Sequence, residues 1–333
     1  MLTRRLALAG STASLTAVAS HAAAPTPLSH IVVILRENHS FDNYFGAFPG
    51  ANGQIMDGVC ADEYPDPPHN RQAALAGPIQ KSIFGKPIGA CHYPPEHLPR
   101  YHAWARQFTL CDNYFGELLA PSVPNYFALM GVTSPVLDNP KGPRASYTET
   151  SLVDRLNDKR LSWKNYNGGI SMVSMFRSAK ESGNIVPVAR FAADAAAGRL
   201  PSVSWITPSL ADSEHPPYSV KHGEAWTAAL VEAAMASPVW PRTAILIVWD
   251  EWGGFNDHVT PPVVESLSGQ RLRYGYRVPC LVIGPLAKRG HVSHTLYSHA
   301  SIVRTICRVF ALPPLTQADA TANDLLDCFT FKV

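Results

Sequence analysis

Residues 31 to 50, IVVILRENHSFDNYFGAFPG, constrain the fold of this chain more than any other stretch. Ile31, Val32, Val33, Ile34 and Leu35 form an unbroken apolar run, mostly β-branched, that leads straight into Arg36, Glu37, Asn38, His39 and Ser40. Such a run predicts a buried strand. The polar cluster then falls at the strand's C-terminal end, where open α/β sheets place their ligand crevice. A carboxylate beside an amide there offers hard oxygen ligands to a cation. A second reading of the same residues is an ordinary strand-to-turn junction, with Ser40 or Asp42 capping the next helix.

Apolar runs at 202–207, 243–250 and 278–284 predict three more strands, and helical periodicity marks 101–108, 124–131, 224–236 and 300–310. The alternation predicts an α/β fold, a mainly parallel central sheet with helices on both faces. Residues 49–99 and 139–201 lack strong periodicity and read as loop insertions forming a cap over the strand ends. No linker separates two halves, so 25–333 reads as a single domain. Residues 1–24 read differently. Arg4 and Arg5 open a small-residue apolar stretch that ends in Ala22-Ala23-Ala24 before Pro25, the layout of an export signal peptide by the twin-arginine or the general route. The mature chain is therefore expected in the periplasm or secreted. No other segment is long and apolar enough to cross a bilayer. The 28 Lys and Arg nearly balance the 26 Asp and Glu, which leaves no basic footprint for nucleic acid. Export permits disulfides. Cys60 and Cys91 bracket a Pro/Gly-rich insertion and form the preferred pair, while Cys280 and Cys307 read as small buried hydrophobes.

Four further constellations carry chemistry. In TAILIVWDEWGGFNDHVTPP a second apolar run ends in Asp250-Glu251, glycines follow at 253 and 254, and Asp257-His258 lies in the same loop. Adjacent carboxylates repel one another, and a divalent cation removes that repulsion; the alternative is a solvated acidic turn. In LLAPSVPNYFALMG, Ser122 stands at the start of a predicted helix. It reads either as a cap or as a nucleophile whose neighbouring backbone N–H groups suit phosphate oxygens and whose hydroxyl a metal would acidify. His215 precedes Pro216-Pro217, a rigid extended segment that either aims the imidazole into the crevice or leaves it exposed. His299 sits at the start of the helix ASIVRTICRVF, as a ligand for metal or phosphate or as part of a plain helix start capped by Ser298. Gly-x-Ser-x-Gly, Walker, Gly-x-Gly-x-x-Gly and His-Glu-x-x-His patterns are missing, which argues against ordinary esterase, nucleotide-binding and zincin chemistry.

In order along almost the whole mature chain, RENHSFDNYFG, LCDNYFGELLAPSVPN, SEHPP, GEAW, WDEWGGFNDHVTPP, YGYRVPCLVIGP, KRGHVSHTLYSHASI and LLDCFTF resemble the bacterial phosphoesterase family of phospholipases C and acid phosphatases. The resemblance implies an alkaline phosphatase-like fold with metal at the strand ends. It implies Glu37, Asn38, Asp250 and Glu251 as metal ligands, and Ser122 as nucleophile and further ligand. His215 and His258 would bind or protonate near the phosphoryl group, and His299 would join the metal site. The chain departs from the family where phospholipases C commonly carry an Arg and it has Tyr126, and where acid phosphatases carry Asp-Asp and it has Asp250-Glu251.

The expected protein is thus an exported metal-dependent hydrolase of phosphoric esters, phospholipase C-like, working through a phosphoseryl intermediate. Its cofactor is a divalent metal ion. Oxygen ligation admits calcium, magnesium or manganese, and histidine admits zinc or iron. Its partner is a phosphoester substrate, with phospholipid and transient contact with a membrane surface in view. Tyr44, Phe45 and Phe48 serve that contact or the core. Two alternatives stand beside it: an acid phosphatase acting on phosphomonoesters, and a non-catalytic exported metal- or phosphate-binding protein. A sulfatase is more distant, since Ser122-Val123-Pro124 opens that signature but Tyr126 replaces its Arg.

Overall fold

The computed structural model describes residues 26–77, 80–81, 87–141, 146–170, 172–265 and 271–331; the stretch read as an export signal lies outside them. Eight strands build the central sheet: β1 (His30–Arg36), β2 (Thr109–Cys111), β3 (Trp163–Asn167), β4 (Ile185–Pro187), β5 (Val203–Thr207), β6 (Thr243–Trp249), β7 (Cys280–Ile283) and β8 (His291–Ser293). Their spatial order is β8-β2-β7-β6-β1-β5-β3-β4. β7 runs antiparallel to both of its neighbours, and every other adjacent pair is parallel. This is the mixed, mostly parallel sheet that the alternation predicts. β1 lies at its centre, and Ile31 to Leu35 are at most 1% exposed. Burying each such side chain contributes about 1.5–3 kcal/mol, so this one strand anchors the core.

The helices that matter here are α1 (Phe41–Phe45), α2 (Pro99–Gln107), α3 (Ser122–Leu129), α4 (Val220–Met235) and α5 (His299–Val309). α2 packs on α4, and α3 packs on α5. Among the described residues no helix is long and apolar enough to cross a membrane.

Residues 139–201 are not a cap: they hold β3 and β4, which extend the sheet to its edge. Trp163 and Tyr166 are buried there, but Lys164 and two asparagines interrupt the apolar pattern, and Asn165 is accommodated by donating to Trp205 O (3.2 Å) and Thr207 Oγ1 (3.1 Å). Residues 49–99 do reach the strand ends, and the Cys60–Cys91 disulfide closes that loop. Cys280 and Cys307 are buried free thiols. Tyr44, Phe45 and Phe48 are all buried, so they belong to the core and not to a lipid-facing surface.

Candidate active site

The parallel pairing of β1 with β6 places the acids together. Their register runs from His30 opposite Thr243 to Arg36 opposite Trp249, so Glu37 and Asp250 follow side by side at the same sheet edge. The Asp250 N–H donates to Arg36 O at 3.1 Å, which extends the ladder one residue past the strands. Asn38 then turns with φ +62°, a left-handed conformation that Asn tolerates better than most residues. Its N–H donates to Asp250 Oδ1 at 3.2 Å. Glu251 is fixed by Gly253, whose N–H donates to Oε2 at 2.9 Å. Gly253 is required at that point: it has φ +63°, and a Cβ would lie 2.2 Å from Asn38 O. Thus the Gly-Gly turn closes the acidic loop directly onto the first strand end.

Ser122 is the first residue of α3, Pro121 precedes it as the cap, and no side chain caps the helix. The Ser122 hydroxyl is therefore not consumed as a cap. Its side chain lies close enough to the Asp250 carboxyl and to the Tyr126 hydroxyl to draw both pKa values down against the larger effect of burial. One helical turn separates Ser122 from Tyr126, which puts both on the same face. Tyr126 in turn donates to Glu37 Oε1. Where the family commonly has Arg, this chain links its serine to its first acid through a phenol.

Glu37, Asn38, Asp250 and Glu251 are each at most 4% exposed. Asn38 Oδ1, Asp250 Oδ2 and Glu251 Oε1 are buried with no hydrogen-bond partner. Burial holds the Asp250 carboxyl well above the usual carboxylate range, and the charges of Glu37 and Glu251 push the same way. Burial likewise pushes Glu251 up to about 8, with His69 acting against it and Glu37 adding to it. Orphaned, buried, mutually repelling oxygens are costly unless something positive sits among them. Oxygen donors of this type suit a hard divalent cation; among the described residues, the His and carboxylate groups whose ligand atoms come within 4.8 Å of one another are Asp66, His69 and His215 beside this site, and Asp42, Asp257 and His258.

His69 was not singled out by the sequence reasoning. It lies in the loop closed by the disulfide, with Nε2 3.3 Å from Asn38 Nδ2 and 4.0 Å from Glu251 Oε1. Its Nδ1 donates to Pro67 O at 2.8 Å and lies 3.3 Å from Asp66 Oδ1. Burial opposes a charge there, but Glu251 and Asp66 outweigh it and push the imidazole up to about 10. The available signal was Pro67-Pro68 immediately before it, the same stiffening device that follows His215. His215 is beside it, the two rings meeting edge-to-face at 5.3 Å. His215 Nδ1 donates to Pro216 O at 2.6 Å, which leaves Nε2 with the lone pair in the neutral ring.

The other two histidines are placed elsewhere. His299 packs at the end of β6, its Nε2 donating to Asp250 O (2.6 Å) and its Nδ1 accepting from Tyr114 (3.0 Å). Burial lowers its pKa to about 4. Both nitrogens are occupied, so in this arrangement His299 holds the acidic strand end in place and offers no lone pair to a metal. His258 belongs to a separate cluster: its Nδ1 donates to Asp42 Oδ2 (2.6 Å), and Arg277 pairs with Asp42 (2.9 Å) and Asp257 (3.1 Å). Arg277 already balances those acids. Among the described residues His258 is bonded to Asp42 and Asn52, and no hydrogen bond joins it to Ser122, Glu37 or Asp250.

A mostly parallel α/β sheet thus gathers acids at its strand ends beside a serine. The chain belongs to the phosphoesterase family, whose sequence model matches residues 28–82 and 85–313, and with its phospholipase C homologues it is a hydrolase of phosphoric esters. It is 28% identical to phospholipase C B of Mycobacterium tuberculosis over 92% of this chain and 78% of that one. It is 26% identical to non-specific phospholipase C6 of Arabidopsis thaliana, over 91% and 72%. Among solved structures it superposes on a protein of the alkaline phosphatase superfamily from Vibrio parahaemolyticus with TM-score 0.51 and 11% identity, covering 92% of this chain and 72% of the other. That likeness speaks to the fold alone.

Proposed function

We propose that the protein is an exported, metal-dependent phospholipase C-like enzyme in which Ser122 attacks phosphorus and is transiently phosphorylated. The observation that carries this reading is Ser122 at the start of α3 beside the Asp250 carboxyl, with three buried oxygens of Asn38, Asp250 and Glu251 that have no hydrogen-bond partner among the described residues. Glu37, Asn38, Asp250 and Glu251 would hold the cation, with Ser122 as a further ligand. When bound, the metal lowers the pKa of the serine hydroxyl and neutralises charge on the phosphoryl oxygens. The chain supplies the rest. Asp250 accepts the hydroxyl hydrogen bond and orients the oxygen for in-line attack. The N-terminus of α3 presents backbone N–H groups to phosphoryl oxygens. His69, charged at neutral pH, faces the same oxygens electrostatically. His215 or His69 protonates the departing lipid alcohol and then takes a proton from the water that releases the headgroup as its phosphomonoester from Ser122.

A cleft of about 580 Å³ lined by Asp66, His69, Gln72, Pro121 and Asp138 opens beside Ser122. The phospholipase C relatives support a phospholipid headgroup ester as its occupant.

The test is hydrolysis of phosphatidylcholine vesicles and of a chromogenic phosphomonoester, each with chelator and with metal add-back. Metal-restored diester cleavage that Ser122→Ala abolishes is the expected result. A Ser122→Ala enzyme with wild-type turnover at saturating metal overturns the nucleophile; preference for the monoester converts the protein to a phosphatase.

A further inference from the structure

Three of the matching sequence blocks, RENHS, SEHPP and GEAW, meet at a place that the chemistry above does not use. Arg36 and Glu214 are fully buried and form an ion pair, Nη2 to Oε1, at 2.8 Å. Each is the chain neighbour of a site residue, Arg36 of Glu37 and Glu214 of His215. Glu214 is saturated: Tyr101 donates to Oε1 at 2.6 Å and Tyr44 to Oε2 at 2.8 Å. Arg36 also donates to Asp212 O at 2.5 Å and stacks against Trp226 at 5.3 Å. Backbone bonds run alongside, Glu37 N to Ser213 O at 3.1 Å and His39 Nε2 to Glu214 O at 2.9 Å. Glu214 itself adopts φ +73°, a conformation that a non-glycine residue holds only when its surroundings impose it.

The third block explains itself through the pair. Gly223 lies inside α4, where glycine weakens a helix. A Cβ at that position would lie 2.3 Å from Glu214 Cγ and 2.5 Å from Arg36 Nη2. The helix approaches the ion pair so closely that only a hydrogen atom fits. The next residue, Glu224, accepts from Arg100 N (2.8 Å) and Tyr101 N (3.0 Å), which anchors the start of α2 and with it the Tyr101 hydroxyl that holds Glu214.

We propose that Glu214 is a positioning residue: paired with Arg36 and given clearance by Gly223, it locks the His215 loop onto the Glu37 strand end so that the imidazole faces the phosphoryl group. This rests on the reading of His215 given above. A buried ion pair contributes little net stability compared with apolar packing of the same volume, whereas it fixes two chain segments in a single register. The saturated, strained geometry of Glu214 is what such a lock requires.

The test is a double-mutant cycle in the metal-loaded full chain. Glu214→Gln is expected to lower kcat about tenfold or more with KM nearly unchanged. In a His215→Ala background the same change is expected to cost less than about threefold, because the residue through which it acts is gone. An equal loss in both backgrounds overturns the proposal. Gly223→Ala, which presses on the pair without removing a charge, and Tyr101→Phe, which removes one donor, serve if Glu214→Gln does not fold; both should show the same non-additivity. A readout independent of hydrolysis is the His215 imidazole ¹H–¹⁵N correlation, identified by its loss in His215→Ala. It should move in Gly223→Ala and in Tyr101→Phe. An unmoved signal overturns the lock even if the protein hydrolyses phosphoesters, and a moved signal in a protein without activity upholds the lock while sinking the proposed chemistry.

Discussion

Metal binding should release protons, and the number can be worked out from the site. In the metal-free protein Glu251 is pushed by burial up to about 8, and Asp250 is held well above the usual carboxylate range by burial and by Glu37 and Glu251. Glu251 is thus protonated at mildly acid pH and Asp250 is biased the same way, and a cation must displace the protons they hold to reach the oxygens. Each proton displaced changes the apparent Kd about tenfold per pH unit, or about 1.4 kcal/mol. The Glu251 proton alone gives a tightening of about 10²-fold over the interval from about pH 5.5 to 7.5, and any proton held by Asp250 adds to it. Glu251→Gln removes one titrating ligand and should lower the slope of log Kd against pH by about one. Calorimetric titration with calcium, magnesium, manganese and zinc in buffers of different ionisation enthalpy reads both the Kd and the proton count. His69→Asn run in parallel subtracts any proton leaving the imidazole. The linkage has a matching sign in stability. A carboxyl with a raised folded pKa stabilises the metal-free fold at low pH, and that stabilisation is lost as pH rises through about 8 for Glu251. The gain in Tm on adding metal should therefore be larger at pH 7.5 than at pH 5.5, about which every group remote from the cation cancels. A Kd flat across this interval, or a Glu251→Gln protein with the wild-type slope, refutes the reasoning.

Other expectations follow from the placement of individual side chains. His299→Leu leaves the Asp250 carbonyl and the Tyr114 hydroxyl buried without partners, so denaturant unfolding should show a loss of about 1–3 kcal/mol per group, while elemental analysis should show unchanged metal stoichiometry; loss of metal with intact stability would return His299 to the ligand set. His258→Gln should keep kcat within about threefold of wild type, because His258 is bonded to Asp42 and not to the serine site. Removing the Cys60–Cys91 disulfide, which spans a sequence separation of 31, should cost about 3–4 kcal/mol by chain entropy. Since that loop carries His69, thermal inactivation should then precede the loss of far-UV dichroism; coincident curves would contradict it.

The central strands were legible because burial on both faces writes itself as an uninterrupted apolar run, as in Ile31 to Leu35. The acids were legible for the same reason, since the residue at which such a run stops marks the sheet edge. The edge strands were not. β3 reads Trp-Lys-Asn-Tyr-Asn, and its buried Asn165 is tolerated only because β5 supplies acceptors that sequence cannot reveal. Ser122 was placed at the right helix, but its freedom from capping depends on Pro121 standing one residue earlier. His69 and His258 show the other limit. Both lie in loops rich in turn residues, and which of them meets the strand ends is decided by long-range contacts: the disulfide loop brings His69 to Glu251, while Asp42 holds His258 away.

The site also explains how a crevice of three acids exists before any cation arrives. Each ligand is anchored through the backbone. Asp250 N binds the end of β1, Asn38 N binds Asp250, and Gly253 N binds Glu251. Their positions are therefore set by the sheet and not by the ion, and the entropy of ordering them is met when the core folds. His69 places a positive charge 4.0 Å from Glu251 Oε1, and burial favours the neutral forms of Asp250 and Glu251. The backbone bonds that hold Asp250, Asn38 and Glu251 come from the sheet and the Gly253 turn, so the Ser122 hydroxyl and these oxygens are expected to keep one arrangement whether or not a cation is bound.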